Sequence, residues 1–243
     1  MTLIAGVKLP RGILFVSDTR ETKEDTGEVV SDWKRKIILI YPGCFLASSG
    51  QASTDHIANI LRNCLYNSSI DKNALSRLGT DRHRIISDLY DNVNNLHMMT
   101  HKYNEPIGHI LIAELEEGTA KLNLFEAGGY TGFRNFNEIE RTELIGSTQT
   151  IRSMARAKIE NLLNLTTEEK LNDEFIFVPL AKDIQKILQE ETRDDLSVGE
   201  SMYCTYITQR NGKPASCVFF LDPNGEFKQM DEKDNSEFFT VPE

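Results

Sequence analysis

The runs "KIILIYPGCFLASSG" and "ASCVFFLD" constrain this chain more than any other stretch. Both have strand length and β-branched or aromatic content. Neither alternates apolar with polar residues as a strand with one wet face does. Strands that are apolar on both faces need cover on both, so the sheets that hold these runs must be sandwiched between other layers.

The rest of the chain supplies that cover. Alternating patterns over Leu3 to Leu9 and Ile13 to about Arg20, joined at Pro10-Arg11-Gly12, predict a hairpin. The polar stretch "TKEDTGEVVSD" reads as a loop, and Pro42-Gly43 turns the next hairpin. After Gly50 the period changes. "TDHIANILRNCLY", with Ser53 or Thr54 as cap and Ile57, Ile60, Leu61 and Leu65 apolar, predicts a helix. A second helix is expected from about Asp81 to Tyr103, with Ile85, Leu89, Val93 and Leu96 on one face. Strands follow in "HILIAELE", "AKLNLFEAGG" and "TELIGS", then a helix over Gln149 to Leu163. "EFIFVP" reads as a short strand or extended insert before a helix from Leu180 to about Glu191. "MYCTYITQ" and "ASCVFFLD" form a last hairpin around Asn211-Gly212, and residues from about 223 to 243 read as a polar tail. Strands and helices thus come in separate blocks, which predicts α+β layers rather than βαβ units. The expected packing is a four-layer αββα sandwich, two antiparallel sheets between helix layers, in one domain over 1–243; 243 residues suffice for such a core.

A net charge of -10 argues against non-specific nucleic-acid binding. No apolar run approaches the roughly 18 residues that suggest a membrane span, and the start lacks the pattern of a signal peptide, so a cytoplasmic protein is expected. Cys44, Cys64, Cys204 and Cys217 form no CxxC pair, and three of them sit in strand patterns, which predicts reduced core thiols. His97 and His101 have a spacing that suits a metal, but with no third ligand in view a helix surface is the better reading. No metal or cofactor is expected.

One further feature bears on chemistry: Thr2 directly follows Met1 and directly precedes the first strand. The second strand pattern ends in Asp18-Thr19-Arg20, a lysine opens the third in "KRKIILI", and Ser49-Gly50 closes the fourth in "CFLASSGQASTDHIANIL". "LIGSTQTI" and "RDDLS" follow later. In this order and spacing the elements resemble the proteasome β-subunit family of N-terminal nucleophile hydrolases, over nearly the whole chain, although Thr148 stands where that family usually has a glycine. The lack of a helix before the first strand resembles the catalytic β type. Length and the Met-Thr start are nearer to the bacterial Anbu-type proteasome-like proteins than to the shorter peptidase of the bacterial two-component ATP-dependent protease.

The resemblance implies a threonine peptidase. With Met1 removed, Thr2 carries a free α-amine of pKa about 7.7–8.0, able to take the proton of its own hydroxyl. Lys36 is implied beside that hydroxyl, Asp18 as its partner, Gly50 N–H as oxyanion donor, and Ser147, Asp194 and Ser197 as groups that orient the amine; Asp195 is the register alternative to Asp194. Within "WKRK", Lys34 and Lys36 share one side in a strand and Arg35 faces the other, so either lysine could reach Thr2; spacing to Gly50 selects Lys36. Arg20, Glu21, Ser48, Ala52 and His56 are the implied substrate pocket, where small Ser48 and Ala52 leave room and Glu21 and His56 add polarity. Implied partners are a peptide or unfolded-protein substrate, further copies of the chain in a homo-oligomeric ring or stack, and an ATP-dependent unfoldase whose identity the sequence does not give. Two other readings of the same fold stand beside this one: a hydrolase of small amides, and a catalytically silent structural subunit.

Overall fold

In the computed structural model the first two strand patterns pair as expected. β1 (Leu3–Leu9) and β2 (Gly12–Asp18) run antiparallel, with Ile4 opposite Ser17 and Leu9 opposite Gly12. The structure describes residues 2–23, 26–70, 82–100, 104–115 and 121–230, with the backbone alone for 67–70. Met1, Asp81, His101, Tyr103 and the tail from 231 onward, all used above, lie outside the described residues.

β2 pairs on its other edge with β11 (Met202–Arg210), which pairs in turn with β12 (Lys213–Leu221). The outer partners are β13 (Phe227–Gln229) beside β12 and β10 (Thr142–Gly146) beside β1, which completes six antiparallel strands in the order β10-β1-β2-β11-β12-β13. A five-stranded antiparallel sheet holds β5 (Ile37–Tyr41), β6 (Cys44–Gly50), β7 (Gly108–Leu115), β8 (Leu122–Gly128) and β9 (Asn137–Glu138), in chain order. β3 (Glu21–Thr22) and β4 (Val29–Ser31) form a third, two-stranded sheet. The helices among the described residues are α1 (Ala52–Ile70), α2 (Arg82–Thr100), α3 (Gln149–Leu165), α4 (Glu168–Leu171) and α5 (Phe177–Glu191). The protein is therefore mixed α+β, with three antiparallel sheets among the described residues.

Three apolar clusters explain the missing alternation. Ile4, Phe15, Phe45, Leu111, Tyr203 and Val218, from both large sheets, pack together. The neighbours of these residues along the same strands, Leu3, Val16, Cys204, Cys217 and Phe219, pack instead with Ala155 and Ile159 of α3 and with Phe177 and Ile184 of α5. On the five-stranded sheet Leu46, Ile110 and Ile112 meet Ile57 and Leu61 of α1 and Ile86 and Tyr90 of α2. The inner strands of the two large sheets thus bury both of their faces, one against the other large sheet and one against helices, whereas β9 is exposed. Cys44, Cys204 and Cys217 are buried thiols, where burial pushes the first two well up and Cys217 to about 12; Cys64 is an exposed thiol. No described helix is long and apolar enough to cross a membrane.

Several local expectations need correction. α1 starts at Ala52, so neither Ser53 nor Thr54 caps it, and the Thr54 hydroxyl donates to Gln51 O. Ile60 and Leu96 are 51% and 62% exposed, off the buried faces. The expected α2 residues Ile85, Leu89 and Val93 are partly buried and pack on the core, but the fully buried line beside them is Ile86, Tyr90 and Asn94, where Asn94 Oδ1 accepts from Ile107 N at 2.9 Å. "EFIFVP" is not a strand. α5 begins at Phe177 and carries Pro179 in its first turn, where a missing N–H breaks no helical bond. The polar loop after Glu21 holds the β3–β4 pair, and Phe227–Gln229 of the expected tail is an edge strand. Asn211 and Gly212, with φ of 52° and 75°, make the two-residue turn of the last hairpin.

Glu114 joins α2 to the five-stranded sheet. It accepts from Tyr41 Oη at 2.5 Å and sits 2.5 Å from His83 Nε2. Burial raises its pKa, but the bonds to His83 and Tyr41 outweigh that and hold the carboxyl below the ordinary glutamate value. A group with a lowered folded pKa adds stability above its unfolded pKa and loses it as pH falls through the folded one. Urea unfolding should therefore show Glu114→Gln costing about 1 kcal/mol or more at pH 7. The difference from the parent should shrink below about pH 4, under the ordinary glutamate value.

Candidate functional site

The end of β2 delivers Asp18 into the interior with no exposed surface. Its Oδ1 accepts from Leu3 N at 2.9 Å and its Oδ2 from Arg20 N at 3.1 Å and Gly199 N at 3.2 Å. The Lys36 ammonium donates to both oxygens at 2.9 Å, and Lys36 is only 4% exposed. A buried ion pair is costly unless its remaining hydrogen-bonding capacity is satisfied, and here three backbone N–H groups do so. Lys36 directly precedes β5, so the pair ties the two large sheets together, and the Leu3 bond fixes the residue next to Thr2.

Half-buried Thr2 lines a cleft of about 450 Å³, together with Lys36, Ser48, Gly50, Ala52 and Ser147. Gly50 ends β6 at φ +123°, opposite Gly108; a Cβ on Gly50 would lie 2.2 Å from Ile107 O. Only glycine allows that approach and leaves bare backbone at the cleft. Gly146 pairs with Leu3 at φ +87°, and a Cβ there would lie 1.8 Å from Thr2 O. The next residue, Ser147, holds φ 43°, a conformation that non-glycine residues adopt at a cost and that clusters at functional sites. Arg152 holds this turn, donating from Nη1 to Gly146 O at 2.9 Å and to Ser147 O at 3.3 Å. Thr148 caps α3 by accepting from Ile151 N at 3.3 Å.

Behind the cleft wall, Ser147 Oγ donates to Asp195 Oδ2 at 3.4 Å, and Asp195 Oδ1 accepts from Ser197 N at 3.0 Å and from Ser197 Oγ. The carboxylate that joins Ser147 to Ser197 is thus Asp195. Asp194, favoured from the Asp-x-x-Ser spacing, is exposed and outside this network. The preference fails because a backbone turn decides which of two adjacent carboxylates faces inward: Val198 N bonds to Asp195 O at 3.1 Å. Gly199 then returns to Asp18, so Ser147, Ser197 and the ion pair share one hydrogen-bonded segment.

Of the expected pocket residues, Arg20, Glu21, Ser48 and Ala52 line the cleft. His56 is exposed and does not; Asp55 lines the cleft in its stead, accepting from Ser48 Oγ at 2.5 Å. Both positions share the helix face of Ala52, at i+3 and i+4, so spacing alone does not separate them. Lys34 and Lys36 do face the same cleft, while Arg35 lies over the Tyr203 ring at 5.5 Å. Lys34 bonds Glu21 at 3.0 Å and Asp55 at 3.2 Å; burial lowers its pKa, these carboxylates outweigh that, and the net shift is upward. Sequence reasoning missed Asp55, His109 and Arg152. The signal for His109 is its strand partner, since it stands opposite Ser49, one residue from the Gly50–Gly108 pair. Its Nδ1 meets Glu126 Oε1 at 3.1 Å, which holds the Glu126 carboxyl below its ordinary value. Among the described residues no group of His, Cys, Asp and Glu is placed to hold a metal ion, and His97 stands on α2 without such a group.

Comparison of the sequence with models of protein families and with curated proteins finds no match.

Two substitutions test this geometry. Asp18→Ala leaves a buried ammonium without its carboxylate and should cost about 3–5 kcal/mol in urea unfolding. Gly146→Ala puts a Cβ into the Thr2 carbonyl and should lower the melting temperature, whereas Thr148→Ala should cost only about 1 kcal/mol through the lost cap.

Proposed function

We propose that the protein is a threonine hydrolase of the N-terminal nucleophile type that cleaves peptide bonds. The observation that carries this reading is the buried Asp18–Lys36 pair beside a cleft that Thr2 also lines, with Asp18 bonded to the amide of the residue after Thr2. One carboxylate thereby sets both the ammonium and the strand start. In this reading the two large sheets and their helices form the four-layer αββα sandwich of that family. Support for the sandwich comes from the three apolar clusters, one between the sheets and one on the outer face of each.

The chemistry requires that Met1 be removed. The freed α-amine takes the proton of the Thr2 hydroxyl, and its oxygen attacks the substrate carbonyl carbon. The tetrahedral oxyanion is met by the Gly50 N–H, a contribution of about 2.7–4 kcal/mol in comparable sites. Collapse releases the amine product, which carries away the proton, and leaves an ester on Thr2; water hydrolyses the ester and restores the hydroxyl. The Lys36 ammonium favours the oxyanion form of Thr2 and, as a like charge, the neutral form of the amine. Asp195 and Ser197 act through Ser147, whose turn packs on Thr2.

The same reading carries a peptide or unfolded-protein substrate, a cytoplasmic location and a homo-oligomeric ring or stack, with an ATP-dependent unfoldase as a possible supplier of substrate. An assembly is supported by Leu96 and Met99, one helical turn apart on α2 and 62% and 84% exposed.

Intact-mass analysis after incubation with a peptide epoxyketone tests the reading. The expected result is a mass lacking Met1 plus one adduct, lost in Thr2→Ala. A mass that retains Met1 and carries no adduct overturns it in favour of a silent subunit. Turnover of small amides but not of peptides selects the amidohydrolase reading.

A further inference from the structure

The end of the cleft formed by Glu21, Lys34 and Asp55 carries unequal charge. Lys34 Nζ lies 3.0 Å from Glu21 Oε1 and 3.2 Å from Asp55 Oδ2, so two carboxylates share one ammonium. Asp55 Oδ1 is taken by the Ser48 hydroxyl at 2.5 Å. Of the cations that line the cleft beside Lys34, Lys36 is compensated by Asp18 and Arg20 by Asp32 at 2.7 Å, while Arg152 is turned onto the carbonyl oxygens of Gly146 and Ser147. One negative charge remains at this end, on Glu21 and Asp55 together. Glu21 is the more exposed of the two side chains, 36% against 14%. Small Ser48 and Ala52 lie beside it on the cleft wall.

We propose that this end of the cleft selects substrates with a lysine- or arginine-like cationic side chain beside the bond that is cut, a specificity that rests on the threonine-hydrolase reading above. Lys34 itself demonstrates that the two carboxylates bind an ammonium. A second cation, supplied by the substrate, brings the group to two positive and two negative charges. An anionic side chain would have to displace Glu21 or Asp55 to pair with the Lys34 ammonium. Complementarity of this kind discriminates between ligands more than it adds raw affinity, and it weakens with salt.

Recognition can be tested apart from catalysis. Thr2→Ala protein, which cannot react, is titrated calorimetrically with acetylated tripeptide amides that differ only in a last residue of arginine, norleucine or glutamate. At low ionic strength the arginine peptide should bind at least about tenfold more tightly than the glutamate peptide. Adding Glu21→Gln or Asp55→Asn should bring the ratio toward one, and Lys34→Met should widen it. Glu21 is exposed enough that its variant leaves the core untouched. Equal affinities, glutamate preferred, no binding by any peptide, or a ratio that neither carboxylate variant moves would overturn the inference. Hydrolysis of the matching coumarylamides by protein with Thr2 intact separates the two claims. Arginine preference in binding without hydrolysis or a Thr2 adduct overturns the hydrolase reading and leaves the recognition standing. Hydrolysis without arginine preference does the reverse.

Discussion

The Asp18 carboxylate gathers five hydrogen bonds from four parts of the chain, and the site geometry hangs on that convergence. Leu3 brings the chain start, Lys36 the edge of the five-stranded sheet, Arg20 the turn after β2, and Gly199 the segment before β11. Charge in a low-dielectric interior is tolerated only where dipoles and counter-charge are already in place. The pair therefore forms only when both sheets have docked, and it makes the cleft a property of the assembled fold rather than of any local segment.

Around this centre the backbone is arranged by positions that permit few alternatives. Gly50 and Gly108 face each other across paired strands, Gly146 lies against Thr2, and Ser147 holds a left-handed conformation under the grip of Arg152. Such costs persist where surrounding structure over-determines the conformation. The supply of that structure is visible in the cluster of α3 and α5 against β1, which anchors the helix whose first turn carries Arg152.

Most of the fold was legible because binary pattern and turn chemistry are local. Uninterrupted apolar strands announced burial on both faces, and Asn211-Gly212 announced its hairpin. What failed was decided by tertiary contacts. On α2 the apolar stripe holds at Ile85, Leu89 and Val93, but it ends before exposed Leu96, and Asn94 turns inward to reach Ile107 N, a polar anchor that no apolar stripe reveals. The helix expected from Leu180 begins instead at Phe177, whose ring stacks on Tyr206 at 4.3 Å, so Pro179 falls in the first turn of α5. At the site, Asp18, Lys36, Gly50 and Ser147 could be marked as candidates through the family resemblance, and the cleft brings Lys36, Gly50 and Ser147 together with Asp18 behind Lys36. The choice of Asp195 over Asp194, and of Asp55 over His56, depends on which neighbour a turn or a helix start aims inward, and one residue of rotation exceeds what spacing can resolve.

Gly50, Gly108 and Gly146 all border the same cleft. A wall built of glycines offers a visitor peptide groups and almost no side-chain relief. Contacts made there are blind to the visitor's own side chains, since every peptide presents the same backbone. Under the proposed hydrolase reading the two groups divide the labour: the glycine backbone would meet any extended chain, and Glu21, Lys34 and Asp55 can vary without disturbing that contact. Sequence change on the charged wall is thus a route by which selectivity could drift while the machinery at Thr2 stays fixed.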